Sequence, residues 1–303
     1  MGFHKQVSKF KNGHEIRTEY RDVDGKLTVL GKAGFVADNK EYDAQGNETR
    51  ITYLGVDDKP VFNRTGGYAI KTVSYDSCGR ATESRFFDAD EHPVRSKKGY
   101  AVIRQAYDES NNVKEEAYFD DQNQPASSID GYTRMRRKFD RNRNVSDEKY
   151  LQGESKSFLV KGAYEEHTSQ YNDHGDLIEE EYLGLAGEPV ANELGWAKHK
   201  MRYDEHNLLI EEAWFGPDDK PVMLKEGYAL RKQHYNDVGQ VIEEAYFGTG
   251  GEPVVSEDGY SRITKAYDAL GRLVLRCNQM IQPILARPGS IGAVSSQGSE
   301  SFV

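Results

Sequence analysis

Polar and apolar residues alternate along most of the chain in short runs, which turn-forming residues separate. The clearest run is 240–247, where positions 241, 243, 245 and 247 share one face and 242, 244 and 246 share the other. A second run, 228–235, precedes it, and the intervening Asn-Asp-Val-Gly at 236–239 supplies turn chemistry. No helical period competes with this pattern. The sequence therefore predicts an antiparallel β-hairpin in which both faces are chemically mixed.

The hairpin pattern recurs along the chain with a period of 32 residues. Each unit opens with an aromatic residue, followed in nearly every case by Asp or Asn, at Phe10, Tyr42, Tyr75, Tyr107, Phe139, Tyr171, Tyr203, Tyr235 and Tyr267. A second aromatic column comprises Tyr53, Phe86, Tyr118, Tyr150, Tyr182, Trp214 and Tyr246. Proline recurs at Pro60, Pro93, Pro125, Pro189, Pro221 and Pro253. A glycine followed by an aromatic closes the units, as at Gly99 and Tyr100 or Gly195 and Trp196.

These columns divide the chain into four parts. Residues 1–41 form a degenerate first repeat and N-terminal cap, 42–266 form seven repeats, and 267–281 form a half-repeat that caps the other end. Residues 282–303 are rich in Ser and Gly without apolar periodicity, which predicts a disordered tail. The fourth unit has Ser157 in the proline column and a displaced Gly162, so we expect a local irregularity there.

The predicted fold is all-β: tandem 32-residue β-hairpin repeats that form an elongated, twisted antiparallel sheet or solenoid. Eight units of two strands give about 16 strands, and open sheets rarely exceed about 10 strands without curling. A closed, propeller-like ring is the alternative, although a propeller blade needs four strands in about 40–45 residues. Each unit has room for two strands and a short third near 253–255.

Composition and charge narrow the class of protein. Hydrophobic residues are only 37% of the chain but aromatics reach 11%, which indicates a thin, ordered structure with little deep core. A net charge of −10 argues against a nucleic-acid partner. The sequence contains no secretory signal and no apolar run long enough for membrane insertion. We therefore expect a soluble, cytoplasmic protein, or an extracytoplasmic one if the chain is a fragment of a longer exported protein.

Short motifs within the unit carry a resemblance to known repeats. Tyr203-Asp204, the Glu-Glu-Ala-Trp-Phe-Gly segment at 211–216 and the Lys-Pro-Val segment at 220–222 illustrate them. From about Glu41 to Asp268 the chain resembles a family of bacterial tandem repeats, and more distantly the Tyr-Asp (YD) repeats of RHS proteins. The resemblance implies a β-ribbon scaffold of the kind that is often appended to other domains, with no catalytic residue.

An acidic column is the most regular charged feature. Its members are Glu83, Glu115, Asp147, Glu179, Glu211 and Glu243, and a basic column comprises Arg104, Arg136, Lys200 and Lys232. Paired carboxylates suit acid–base or metal chemistry, but opposite charges across strands also stabilise a sheet. We predict a structural ladder in which each hairpin brings the basic column of its first strand near its own glutamates.

Other candidate chemistry is weak. The acidic turns at 22–25, 88–90 and 120–121 lack the spacing of a calcium loop, and Cys78 and Cys277 have no metal-ligand neighbours. The histidines show no metal-binding motif and no recurring column, and no nucleophile motif or phosphate-binding loop is found. The sequence accordingly predicts no enzyme activity, no cofactor and no metal site.

The aromatic columns are the remaining candidates for a binding site. The residues selected as possible ligand-binding aromatics are Tyr118, Tyr182, Trp196, Trp214 and Tyr246. Exposed rings in rows could stack on sugars, whereas buried rings would form the core of a thin sheet. The leading hypothesis for function is a non-catalytic scaffold that binds another protein. Binding of carbohydrate or cell envelope through the aromatic rows, and a passive spacer in a larger protein, are the alternatives.

Overall fold

A computed structural model describes residues 4–161 and 163–280. It confirms the all-β prediction, since the described residues form antiparallel strands and a single 3₁₀ turn, Gly31–Ala33. The strands are β1 Lys5–Lys11, β2 His14–Arg21, β3 Ala37–Tyr42, β4 Glu48–Leu54, β5 Ile70–Tyr75, β6 Ala81–Phe87, β7 Val102–Tyr107, β8 Val113–Phe119, β9 Arg134–Phe139, β10 Val145–Gln152, β11 Lys156–Ser157, β12 Glu166–Tyr171, β13 Leu177–Leu183, β14 Lys198–Tyr203, β15 Leu209–Phe215, β16 Leu230–Tyr235, β17 Val241–Phe247, β18 Arg262–Tyr267 and β19 Leu273–Gln279. The predicted disordered tail at 282–303 lies outside the described residues.

The chain divides into two compact units, Met1–Phe139 with Glu148–Lys161, and Asp140–Asp147 with Gly162–Val303. Within each unit the hairpins follow one another in chain order, and each pairs with the next. Among the described strands, β1 pairs only with β2, and β19 pairs only with β18. The sheet of each unit is therefore open, as the leading prediction has it, and no pairing closes either unit into a ring. A complete hairpin stands at each end of the described chain, and the division into repeats and caps stays a prediction.

The Tyr-Asp motif forms the hairpin turn. In the turn after β7, Oδ1 of Asp108 accepts hydrogen bonds from the amides of Ser110 at 2.9 Å and Asn112 at 2.8 Å. The same acceptor position is filled by Asp43, Asp76, Asp140, Asn172, Asp204, Asn236 and Asp268. The fourth residue of the turn has positive φ, 76° at Gly79 and 67° at Asn111, which explains why glycine recurs in this column.

The aromatic residue of the same motif links each hairpin to the one before it. The pairing register shifts between Ala106 and Tyr107, and this β-bulge changes the direction of the tyrosine side chain. Its hydroxyl donates a hydrogen bond of 2.7 Å to the carbonyl of Ala81 in the preceding hairpin. Equivalent hydrogen bonds run from Tyr42 to Glu15, from Tyr75 to Glu48, from Tyr235 to Leu209 and from Tyr267 to Val241.

The connection between hairpins makes one further β-bridge. Pro253 bridges Phe247 in isolation, so the short third strand expected near 253–255 is a single bridge. In the fourth unit the proline column holds Ser157, and there the bridge extends into the two-residue strand β11. The additional pair joins Gln152 with Lys156, next to the pair of Leu151 with Ser157. This is the local irregularity that the sequence predicts.

Candidate functional site

In each unit the second aromatic column and the aromatic residues of the Gly-aromatic pairs meet in a row of rings on one face of its sheet, which we call the aromatic face. In the first unit the row comprises Tyr20, Phe35, Tyr53, Tyr68, Phe86, Tyr100, Tyr118, Tyr132 and Tyr150. Successive ring centroids lie 4.6 to 6.1 Å apart. In the second unit the row comprises Tyr164, Tyr182, Trp196, His199, Trp214, Tyr228, Tyr246 and Tyr260. Aromatic pairs at these distances stabilise one another beyond their buried area.

The five aromatic residues selected from the sequence all lie in these rows. Tyr118, Trp196, Trp214 and Tyr246 are buried, with exposed fractions of 5 to 8%. Tyr182 is half-buried, and burial raises its pKa to about 12. Neighbouring rings cover these side chains, so the packing favours the interpretation of the rows as core. Ligand binding by the five rings stays an untested prediction.

A row of charged groups crosses the aromatic face of the second unit. Glu180 Oε2 lies 3.0 Å from His167 Nε2, and Glu180 Oε1 lies 3.2 Å from His199 Nδ1. His199 Nε2 in turn lies 3.5 Å from Glu212 Oε1, and Arg231 donates a hydrogen bond to Glu212. Burial opposes ionisation of Glu180, but its hydrogen bonds to the two histidines outweigh that effect and lower its pKa to about 2.

This charged row was missed in the sequence, and the statement that no histidine column recurs was wrong. His167 and His199 are 32 residues apart and occupy equivalent positions in successive repeats. The ring of His199 stacks on Trp214 with centroids 4.7 Å apart and an interplanar angle of 8°. In the strand register His199 faces Glu180 and Arg231 faces Glu212, so acidic and basic residues alternate from strand to strand along the row. This alternation of charge is the signal that the sequence contained. The charged groups of the row pair with one another across neighbouring strands, although His199 Nε2 and Arg231 Nε have no hydrogen-bond partner of good geometry among the described residues.

The opposite face of the sheet carries the predicted ladder of acidic and basic residues. The ladder joins different strands from the ones predicted. Glu83 pairs with Arg104 across the junction between two hairpins, with 2.8 Å between Oε2 and Nε. Within the hairpin of Arg104 the strand register sets Glu115 opposite Ala106. The equivalent junction pairs are Glu115 with Arg136, Glu179 with Lys200 and Glu211 with Lys232. The ladder therefore joins successive repeats, and the expectation that it lies within each hairpin was wrong.

The aspartates of the acidic turns accept hydrogen bonds from the backbone amides of their own turns. Oδ1 of Asp88 accepts hydrogen bonds of 2.9 Å from the amides of Asp90 and His92. Side-chain ligand atoms of these three residues lie within 4.8 Å of one another, but Asp90 and His92 are exposed, and the geometry is that of a turn. The turns at 22–25 and 120–124 use Asp22 and Asp120 in the same way.

No helix in the described part of the chain is long and apolar enough to cross a membrane. No family model matches the sequence, and no curated protein is significantly similar to it. Membership of the repeat family that the motifs resemble thus stays a prediction.

Among solved structures, the chain is similar to TcdB2-TccC3-TEV, with a TM-score of 0.42 and 13% identity over 88% of this chain. It is similar to TcdB2-TccC3 without its hypervariable C-terminal region, with a TM-score of 0.42 and 12% identity over 90% of this chain. The Photorhabdus luminescens Tc holotoxin pore gives a TM-score of 0.32 and 11% identity over 88% of this chain. The chain spans only 13 to 15% of the length of these neighbours. Similarity at this level carries no information on function.

Proposed function

We propose that the chain is a non-catalytic repeat scaffold that binds another protein along the connections between its hairpins. The observation that carries this proposal is the placement of exposed apolar side chains. In a meandering antiparallel sheet the hairpin turns lie at one end of the strands and the connections at the other. The connections of the described chain carry exposed Val23, Val29, Val56, Phe62, Ile129, Leu185, Leu194, Met223 and Val255.

The exposed fractions are large enough to matter for binding. In the second unit they are 58% for Leu185, 70% for Leu194 and 44% for Met223. The hairpin turns of that unit expose Val238 and Leu270, each at 77%. The second unit therefore exposes apolar side chains at both ends of its strands, but more of them lie on the connections, where they suit a protein partner better than solvent.

The charged groups support a scaffold rather than an enzyme. Glu180, Glu212 and His199 have shifted pKa values, which in an enzyme would mark a candidate catalytic centre. In this chain the three are coupled to one another and to the aromatic row, and their contacts join neighbouring strands. The physical role of the charges is then to hold repeats together, which leaves the connections for recognition.

The test compares two edges of the same unit. The purified chain is immobilised, exposed to a lysate of its source organism, and the retained proteins are identified by mass spectrometry. A variant with Leu185→Ser, Leu194→Ser and Met223→Ser alters the connections, and a control with Val238→Ser and Leu270→Ser alters the hairpin turns. We expect one protein to be retained by the wild type and the control and lost by the triple variant. Equal retention by all three, or no retained protein, would contradict the proposal.

A further inference from the structure

A cavity of about 380 Å³ opens on the aromatic face of the first unit, and lysines surround it. Lys71 reaches it from β5, Ser84 from β6, and Lys97 and Lys98 from the connection that follows β6. Tyr100 of the aromatic row also lines it. Ligand sites of small molecules start at about 300 Å³, so the cavity has room for one compact molecule.

The equivalent place in the second unit, four repeats later, explains why this cavity exists. Lys71 corresponds to His199 and Ser84 to Glu212, each 128 residues further along the chain. In the second unit Glu212 lies between His199 and Arg231 and contacts both. In the first unit Ser84 takes the place of Glu212, and the shorter, uncharged Ile103 takes the place of Arg231. The cation of the row is kept at Lys71, while the carboxylate that would neutralise it is missing.

The charges around the cavity are correspondingly unbalanced. Within the described ranges 4–161 and 163–280, the side chains of Lys71, Lys97 and Lys98 make no ion pair and no hydrogen bond. The one carboxylate that lines the cavity, Glu116, accepts hydrogen bonds from Gln105 Nε2 at 2.8 Å and from the Tyr118 hydroxyl at 3.0 Å. Three ammonium groups and one carboxylate give a local charge of +2 in a chain whose net charge is −10. Like charges gathered on a concave surface raise the local potential and attract anions.

We propose that this cavity binds a small molecule that carries phosphate or carboxylate oxyanions. The oxyanion occupies the place that the Glu212 carboxylate fills in the second unit, where Lys71 contacts it from the sheet. Lys97 and Lys98 contact it from the connection, since ammonium groups bind such oxyanions through charge-assisted hydrogen bonds. The hydroxyl of Ser84 is placed to donate a further hydrogen bond. The site uses neither the exposed apolar residues nor the partner of the protein-binding proposal, so the two stand or fall separately.

The first experiment is isothermal titration calorimetry of the full chain in a phosphate-free, low-salt buffer. Inorganic pyrophosphate and citrate are titrated separately, so that one arm supplies phosphate and the other carboxylates. We expect at least one of them to bind at a single site. The double variant Lys71→Gln with Lys97→Gln should weaken that binding by about tenfold or more. Lys225→Gln is the matched control, because Lys225 occupies the same column as Lys97 four repeats later and should leave binding unchanged.

The second variant restores the missing carboxylate. Ser84→Glu recreates the glutamate of the second unit, so it should abolish anion binding and raise the temperature of unfolding. This variant decides the matter even if the double lysine variant fails to fold. The proposal is overturned if neither anion binds the wild type, if Ser84→Glu binds as well as the wild type, or if Lys225→Gln weakens binding as much as the double variant.

Discussion

Asp38 is a position at which a single substitution should stabilise the protein. It lies in β3 in the same column as Ile103 and Met135, and only 5% of it is exposed. Its Oδ1 has no hydrogen-bond partner among the described residues. Burial raises the pKa of this carboxyl from 3.8 to about 6, with partial compensation from nearby Lys40. We expect Asp38→Asn to stabilise the protein at neutral pH.

The magnitude and the pH dependence follow from the shift. The folded-state pKa is raised, so the buried carboxylate destabilises the fold above pH 6, and the penalty disappears as the pH falls below 3.8. A shift of this size corresponds to about 3 kcal/mol. The amide nitrogen of the asparagine also lacks a partner, which reduces the expected gain to about 2 kcal/mol.

The assay must report on this hairpin, because repeat arrays open locally. Hydrogen exchange of β3 and β4 amides is compared between variant and wild type at pH 7.5 and pH 4. At pH 7.5 a gain of 2 kcal/mol slows exchange by about 30-fold, and at pH 4 the two proteins should differ by less than about threefold. Asp24→Asn, at an exposed aspartate of the same unit, is the control and should change nothing. A gain of equal size at both pH values, or a loss of stability at pH 7.5, would show that the ionised carboxylate of Asp38 does not destabilise this hairpin.

Three further perturbations test other contacts. Glu180→Gln removes a carboxylate whose hydrogen bond, with that of Glu212, raises the pKa of His199 against the opposing effect of burial. That stabilisation is complete below pH 6.5 and is lost as the pH rises through the folded pKa, so the thermal-stability deficit of the variant should be larger at pH 6 than at pH 9. Tyr107→Phe removes a hydrogen bond to the preceding hairpin and should cost about 1 kcal/mol in chemical denaturation; no loss would mean that water replaces it. Gly99→Ala places a Cβ 2.8 Å from a backbone oxygen, whereas Gly259→Ala has a similar φ and open space, so Gly99→Ala should lower the melting temperature more.

The hairpins were predictable because their signals are local. The expected strand 240–247 is found as β17 Val241–Phe247, and 228–235 as β16 Leu230–Tyr235. The turn between them needs only the side chain of Asn236 and the positive φ of Gly239, which the sequence states directly. Turn signals of this kind can be recognised without knowledge of the rest of the fold.

The pairings between hairpins were not predictable in the same way. The bulge between His234 and Tyr235 shifts the register near the turn, and the register to the next hairpin is set by a long connection. The sequence pattern gave both charged columns but could not say that Glu211 faces Lys232 of the next hairpin. The cavity beside Lys71 could not be predicted from the sequence either. It forms where the neighbouring strands lack the glutamate and the arginine of the second unit.

The hydrogen bond from the motif tyrosine to the preceding hairpin has a consequence for how the chain is made. It spans 26 residues at Tyr107 and at Tyr267, and the junction pair of Glu83 and Arg104 spans 21. Tertiary contacts of this reach do not lengthen as repeats are added, so the relative contact order falls with chain length. Each hairpin can complete its contacts with the preceding hairpin soon after it leaves the ribosome, because that partner has already emerged. Synthesis in the N-to-C direction then matches the order of assembly, and a growing array exposes one unfinished strand edge at a time to the cell.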